Sequence, residues 1–183
     1  MNFANVKSLK IPEGEVKEIR VGGVLLWKSG YTNLVPLSTT EDDKTIYNGV
    51  GYKNGYRIRS GGAEGSDNVA SHTGFIKIKG GDVIRMSGYD ALIVANANAI
   101  NVYDASHAVL GQVTSGSANY GYGFFQSTWK EYNWGLSKGV KEEKSGVYIW
   151  TAPPDTSIAY MRVTGYTNKD GSKMIVTVNE EIE

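Results

Sequence analysis

The chain has 183 residues, a formal net charge of zero and no cysteine. It is long enough to bury a real core, its balanced charge favours neither nucleic acid nor an anionic membrane, and disulfides, thiolate metal sites and a cysteine nucleophile are excluded. Its 23 glycines and 12 tyrosines favour an all-β protein with many turns over a helical one.

The segment 6–28 predicts three short strands joined by two coded turns. Ile11-Pro12-Glu13-Gly14 places Pro at the second and Gly at the fourth position of a type I turn. Gly22-Gly23, between Val21 and Val24, is a two-residue hairpin loop whose central residues need positive φ. Three strands of this size cannot bury enough apolar surface to stand alone. Residues 1–29 are therefore expected to be a small attachment unit, folded against the rest of the chain or against a partner. Met1–Asn5 has no basic region, apolar run or cleavage site, so no signal peptide is expected. No stretch approaches the length of a membrane span.

From about residue 30 the chain predicts one sandwich, 30–183. Asn48-Gly49 and Asn54-Gly55 read as turns around Ile46-Tyr47, Tyr52 and Tyr56-Arg57-Ile58, and Ser60 to Ser71 reads as a Gly/Ser/Asp loop. Gly74-Phe-Ile-Lys-Ile-Lys79, Gly80-Gly81 and Asp82-Val-Ile-Arg-Met-Ser87 form the cleanest predicted hairpin. Its Ile76 and Ile78 alternate with Lys77 and Lys79, so one face is buried and the other wet. Ala91–Val94, Ala99–Tyr103, Val147–Trp150, Ser157–Thr164 and Lys173–Val178 also read as strands. Asp104-Ala-Ser-His107 is a turn, and Pro153-Pro154-Asp155 a corner where proline leaves the ladder. Between Gln112 and Gly146 the period fails, and Phe124 to Trp134 would accommodate a turn or two of helix. The expected fold is all-β: a jelly-roll-like antiparallel β-sandwich preceded by a small three-stranded β unit.

Val6-Lys-Ser-Leu-Lys-Ile-Pro-Glu-Gly14 followed by Gly22-Gly-Val-Leu-Leu-Trp27 resembles the N-terminal unit of tail-associated structural proteins of phages and prophages of Gram-positive bacteria. Further stretches are similar to the same proteins. They are Tyr31-Thr-Asn-Leu-Val-Pro36 with Asn48-Gly-Val-Gly-Tyr52, Gly74–Arg85 with Val102-Tyr-Asp-Ala-Ser106, and Thr151-Ala-Pro-Pro154 with Ala159–Val163 and Val176–Ile182. The second half also resembles jelly-roll modules that bind carbohydrate on tail fibres, baseplates and surface proteins. The resemblance implies a virion part made in the bacterial cytoplasm, with other tail or baseplate subunits as partners and a host cell-wall polysaccharide as ligand. A homo-oligomer, such as a trimer, fits that setting. It supplies no catalytic residues.

The chemistry-bearing residues read blandly. Asp104-Ala-Ser-His107 holds the triad residue types within one tight turn, which offers neither burial nor an oxyanion hole, and His72 is placed in a loop. A glycoside hydrolase needs two carboxylates about 5 to 10 Å apart. The candidates Asp42-Asp43, Asp90, Asp104 and Glu142-Glu143 read as solvated, several beside Lys44, Lys141 or Lys144. A structural calcium would suit a sugar-binding sandwich, but no Asp-x-Asp-x-Asp loop supports one, and no cofactor is expected. Gly61-Gly62-Ala63-Glu64-Gly65 is followed by neither Lys-Ser/Thr nor a helix, so it is no phosphate loop. Nucleic-acid binding would need a basic stripe with interleaved aromatics, and Lys77, Lys79 and Arg85, on one predicted hairpin, read as solvating its outer face.

The candidate ligand segment is Asn119 to Trp134, where seven of sixteen residues are aromatic against 11% in the chain as a whole. Tyr120, Tyr122, Trp129, Tyr132 and Trp134 are the candidate ligand-binding residues, because sugar rings present flat C–H faces that stack on Tyr and Trp. Aromatic loops of this kind also pack on their own sandwich or meet another subunit, and the residues alone leave the three readings open. Trp27 and Trp150 fall in predicted strands and are expected in the core. The expected function is a non-enzymatic tail or baseplate structural protein with a glycan-binding sandwich. The alternatives are a cell-surface carbohydrate-binding or adhesion module and, more distantly, a glycoside hydrolase.

Overall fold

The computed structural model describes residues 9–11, 14–16, 18–21, 24–28, 30–38, 51–88, 98–115, 121–125, 140–168 and 170–182. β1 (Leu9–Ile11) pairs with β2 (Gly14–Val16), with Ile11 opposite Gly14. β3 (Glu18–Val21) pairs with β4 (Val24–Lys28), with Val21 opposite Val24 as the expected hairpin requires. The third strand of this unit is β5 (Tyr31–Thr32), which pairs with β4, whereas the segment before Pro12 forms a separate two-stranded sheet with β2.

The rest is an all-β sandwich. Its larger sheet runs β12 (Gly121–Phe125), β11 (Val109–Ser115), β10 (Asn98–Tyr103), β15 (Tyr160–Tyr166), β7 (Glu64–Thr73) and β6 (Tyr52–Ile58), with β8 (Ile76–Lys77) also paired to β15. Its smaller sheet runs β13 (Lys141–Lys144), β14 (Val147–Thr151), β9 (Val83–Ser87) and β16 (Ile175–Val178). Every ladder is antiparallel. Ile100, Val102, Val113, Met161 and Val163 of the larger sheet pack against Ile84, Met86, Trp150 and Val176 of the smaller one. Each such side chain contributes about 1.5–3 kcal/mol by leaving water. Trp27 and Trp150 are both buried, as their strand positions predict.

The three-stranded sheet is fastened to the sandwich by Asn33, which is fully buried. Its Nδ2 donates to the carbonyls of Leu25 and Met174, each at 3.0 Å, and its Oδ1 accepts from the amides of Val35 and Val176, each at 3.1 Å. The Leu34 amide adds a bond to the Val176 carbonyl at 2.8 Å. The Thr32 amide donates to Glu180 Oε2 at 2.6 Å, and Leu25 and Tyr31 pack with Val147 and Ile182.

Several local expectations differ from the structure. Gly80-Gly81 does not close a hairpin: β8 pairs with β15 in one sheet, while β9 pairs with β14 and β16 in the other. The two glycines instead carry the chain between sheets. Gly81, at φ +86, donates to the carbonyls of Ala152 and Pro153, and Gly80 lies so close to the Asp155 backbone that a Cβ would stand 2.6 Å from its nitrogen. The inward–outward alternation of Ile76, Lys77, Ile78 and Lys79 is nonetheless as expected. Asn54-Gly55 is an irregularity inside β6, with Gly55 at φ +79, and Ser60–Ser71 is mostly strand β7 despite its polar composition. Part of 112–146 is strand, since β12 pairs along β11. The expected strand Ala91–Val94, the Asn48-Gly49 turn and the helix over most of Phe124–Trp134 lie outside the described residues.

Candidate functional site beneath the arm of strands 6 and 7

Register places the side chains of β15 on two faces. Met161 and Val163 point into the sandwich; Arg162 lies opposite Asn101, and Thr164 opposite His72, which in turn lies opposite Lys53. In a half-wet sheet this second face would be solvated. Here it is closed: Arg162, Asn101, His72, Tyr103 and Thr164 are all buried.

The cover comes from the far end of the β6–β7 hairpin. Pairing is regular at Asn54 with Ser71, then resumes at Tyr56 with Ser66, leaving residues 67–70 without partners in β6 and bending the arm at Gly55. The turn at Ser60–Gly62 uses Gly61 and Gly62 at φ +80 and +83. Gly62 presses so closely on β10 and β11 that a Cβ would stand 2.4 Å from Val109 Cγ2 and 3.4 Å from Tyr103 Cε1. The amide of Ile58, itself fully buried, donates to Thr164 Oγ1 at 3.3 Å.

Under this arm lies a charged cluster. Arg162 Nη2 donates to Glu64 Oε1 at 2.9 Å and lies 3.2 Å from His72 Nδ1, while its Nε donates to the Thr73 carbonyl at 3.2 Å. Lys53 Nζ reaches Glu64 Oε2 at 2.5 Å, and His72 Nε2 faces Glu64 Oε1 at 3.4 Å. Thr73 Oγ1 accepts the Val163 amide at 2.9 Å. Arg162 and Thr73 thus fill the break where β7 gives way to β8 along β15. Burial, and then the guanidinium of Arg162, hold the His72 ring down to about 4. It is therefore neutral at pH 7, and its Nδ1 lies 2.9 Å from the Thr73 carbonyl oxygen as well as beside Arg162 Nη2.

An aromatic wall borders the cluster. Phe75 stacks on His107 at 4.1 Å and meets Tyr103 edge-on at 4.9 Å, and the Arg162 guanidinium lies 5.0 Å from the Phe75 ring centre. Tyr160 meets His107 at 4.8 Å. His107 and Tyr160 are half-buried, so this wall reaches the surface. Asn101, fully buried beside Arg162, has no hydrogen-bonding partner at either amide atom among the described residues. A buried amide in that state costs about 1–3 kcal/mol per unmet group.

Of the sequence-predicted ligand residues, Tyr122 sits in β12 opposite Thr114. Tyr120, Trp129, Tyr132 and Trp134 lie outside the described residues. Asp104, Ser106 and His107 do form a turn: Asp104 Oδ1 accepts from the Ser106 hydroxyl and the amides of Ser106 and Ala108. These bonds, the Ser106 hydroxyl foremost, hold its carboxyl below the usual range. Glu143 binds Arg85 through both carboxylate oxygens, at 2.7 and 3.0 Å. Among the described residues no three or more His, Asp and Glu side chains gather as metal ligands.

Arg162, Glu64 and Asn101 were missed in sequence because Arg162 reads as the wet side of an alternating strand and Glu64 as part of a loop. The one available signal was Arg162 itself, a charge flanked by Met161 and Val163. Comparison with known protein families, curated proteins and solved structures finds no match for this chain.

Proposed function

We propose that the chain is a non-enzymatic structural component of a phage or prophage tail or baseplate, and that its sandwich engages a glycan of the host cell wall. The observation that carries this reading is the order and placement of the tail-protein-like segments. Val24–Trp27 lies within β4, Tyr31–Pro36 contains the Asn33 joint, Ala159–Val163 runs into the central strand β15, and Val176–Ile182 includes most of β16 and the Glu180 contact. The resemblance thus falls on residues that build and join the two parts. That suits a subunit whose small N-terminal sheet is held at a fixed angle to its sandwich.

The glycan part of the reading rests on the aromatic segment, with Tyr120, Tyr122, Trp129, Tyr132 and Trp134 as stacking residues, and on the aromatic and polar face of the larger sheet. Aromatic rings beside a few convergent polar groups are the usual make-up of a small-molecule site. The test is to raise antibodies to the chain and apply them to particles induced from the strain that encodes it. Labelling of tails or baseplates supports the structural role. Particles that lack the chain by both labelling and mass spectrometry overturn it.

A further inference from the structure

The geometry points to a carboxylate-binding site on the outer face of the larger sheet, occupied in this structure by the chain's own Glu64. We infer that its external ligand is a carboxylate-bearing saccharide, which takes the place of Glu64 when the β6–β7 arm lifts. This rests on the glycan reading above and narrows it to acidic sugars.

Four observations carry the inference. First, the Glu64 carboxylate is held like a bound anion, with Arg162 at Oε1 and Lys53 at Oε2, and the neutral His72 ring 3.4 Å from Oε1. Arg162 is buried in the central strand of the sheet, whereas Glu64 belongs to an arm that lies over it. Second, that arm is set off from the sheet by the register break at Gly55, where a Cβ would meet nothing within 4 Å, and it turns on Gly61 and Gly62. Third, Asn101 lies directly across from Arg162 with both amide atoms unpartnered among the described residues, offering two donors and an acceptor to a group Glu64 does not supply. Sugar hydroxyls, which donate and accept, match that amide. Fourth, the rings of Phe75, His107 and Tyr160 run from Arg162 toward the surface and give a C–H face something to stack on.

The probe is sodium D-glucuronate, with D-glucose as the neutral control, titrated calorimetrically into the full chain and into its Glu64→Gln variant at pH 7. Removing the resident charge is expected to raise affinity for glucuronate at least tenfold over the unaltered chain, with no gain for glucose. Asn101→Leu added to Glu64→Gln is expected to abolish that gain. Should Glu64→Gln lower the melting temperature, glucuronate is expected to restore it in this variant more than in the unaltered chain.

Equal glucuronate binding by the two proteins, or none by either, would overturn the inference. So would an equal gain for glucose. If the unaltered chain binds whole cell walls while Glu64→Gln gains nothing toward glucuronate, this site fails and the glycan reading survives. If Glu64→Gln takes up glucuronate while no wall polysaccharide binds, the site stands and the wider reading fails.

Discussion

Asn33 meets Val176 through both side chain and neighbouring backbone: its Oδ1 accepts the Val176 amide at 3.1 Å while the Leu34 amide donates to the Val176 carbonyl at 2.8 Å. The chain just past β5 thus serves as a strand partner to β16. An asparagine amide can do this because it carries a donor and an acceptor set apart like those of a peptide group. All four of its bonds end on backbone atoms, so no other side chain must be present for it to hold.

Asn33→Leu is expected to destabilise the protein by roughly 3 kcal/mol or more, since it leaves four buried backbone groups unmet. Urea unfolding followed by near-ultraviolet circular dichroism measures it. An effect below about 1 kcal/mol would mean that water takes over the bonds and that the joint is open.

His72 makes the fold acid-sensitive. Its ring faces Glu64, Arg162 and Lys53, and its pKa falls from 6.5 to about 4 in the folded chain. The unfolded chain therefore binds the extra proton first as pH falls. Stability is complete above about pH 6.5, declines toward pH 4 and then levels. A depression from 6.5 to about 4, at about 1.4 kcal/mol per unit, amounts to about 3 kcal/mol. His72→Gln is expected to flatten that part of the curve, which urea unfolding at a series of pH values would show.

Two glycines with similar backbone angles separate strain from crowding. Gly88 has φ +82 and a Cβ there would stand 1.7 Å from the Lys173 carbonyl oxygen, whereas Gly81 has φ +86 and nothing within 4 Å. Gly81→Ala is expected to cost about 1 kcal/mol, the strain of the left-handed conformation alone. Gly88→Ala is expected to cost about 3 kcal/mol or more, because backbone must also move. Their thermal unfolding curves make the comparison.

Trp150 is the largest side chain, among the described residues, in the core that also holds Ile84, Met86 and Met161. Trp150→Ala is expected to cost about 3–5 kcal/mol. Chemical denaturation measures it, with a change in the cooperativity of the transition as a further sign that the two sheets no longer unfold together.

What the sequence made legible was local. Val21 pairs with Val24 where the β3–β4 hairpin was expected, and Ile76 and Ile78 turn inward. Pairing between distant segments was not legible. Gly80-Gly81 has the composition of a hairpin loop, but such a loop fixes a bend and leaves open whether the next strand returns to the same sheet or enters another. Asn54-Gly55 likewise codes a positive φ, which a bulge uses as readily as a turn. Arg162 was unreadable for a related reason. Strand alternation separates two faces, but it does not say that an arm from β6 and β7 folds back over the second one. The site therefore depends on Glu64 meeting Arg162 across 98 positions of sequence. No short motif records that contact.

The most direct measurement is binding of the purified full chain to isolated Gram-positive cell walls, read by saturation and by quenching of tryptophan fluorescence. The expected result is saturable binding that is lost when Trp129 and Trp134 are both replaced by alanine. Binding to neither walls nor an array of wall glycans, or binding untouched by the double substitution, would contradict the glycan-binding role.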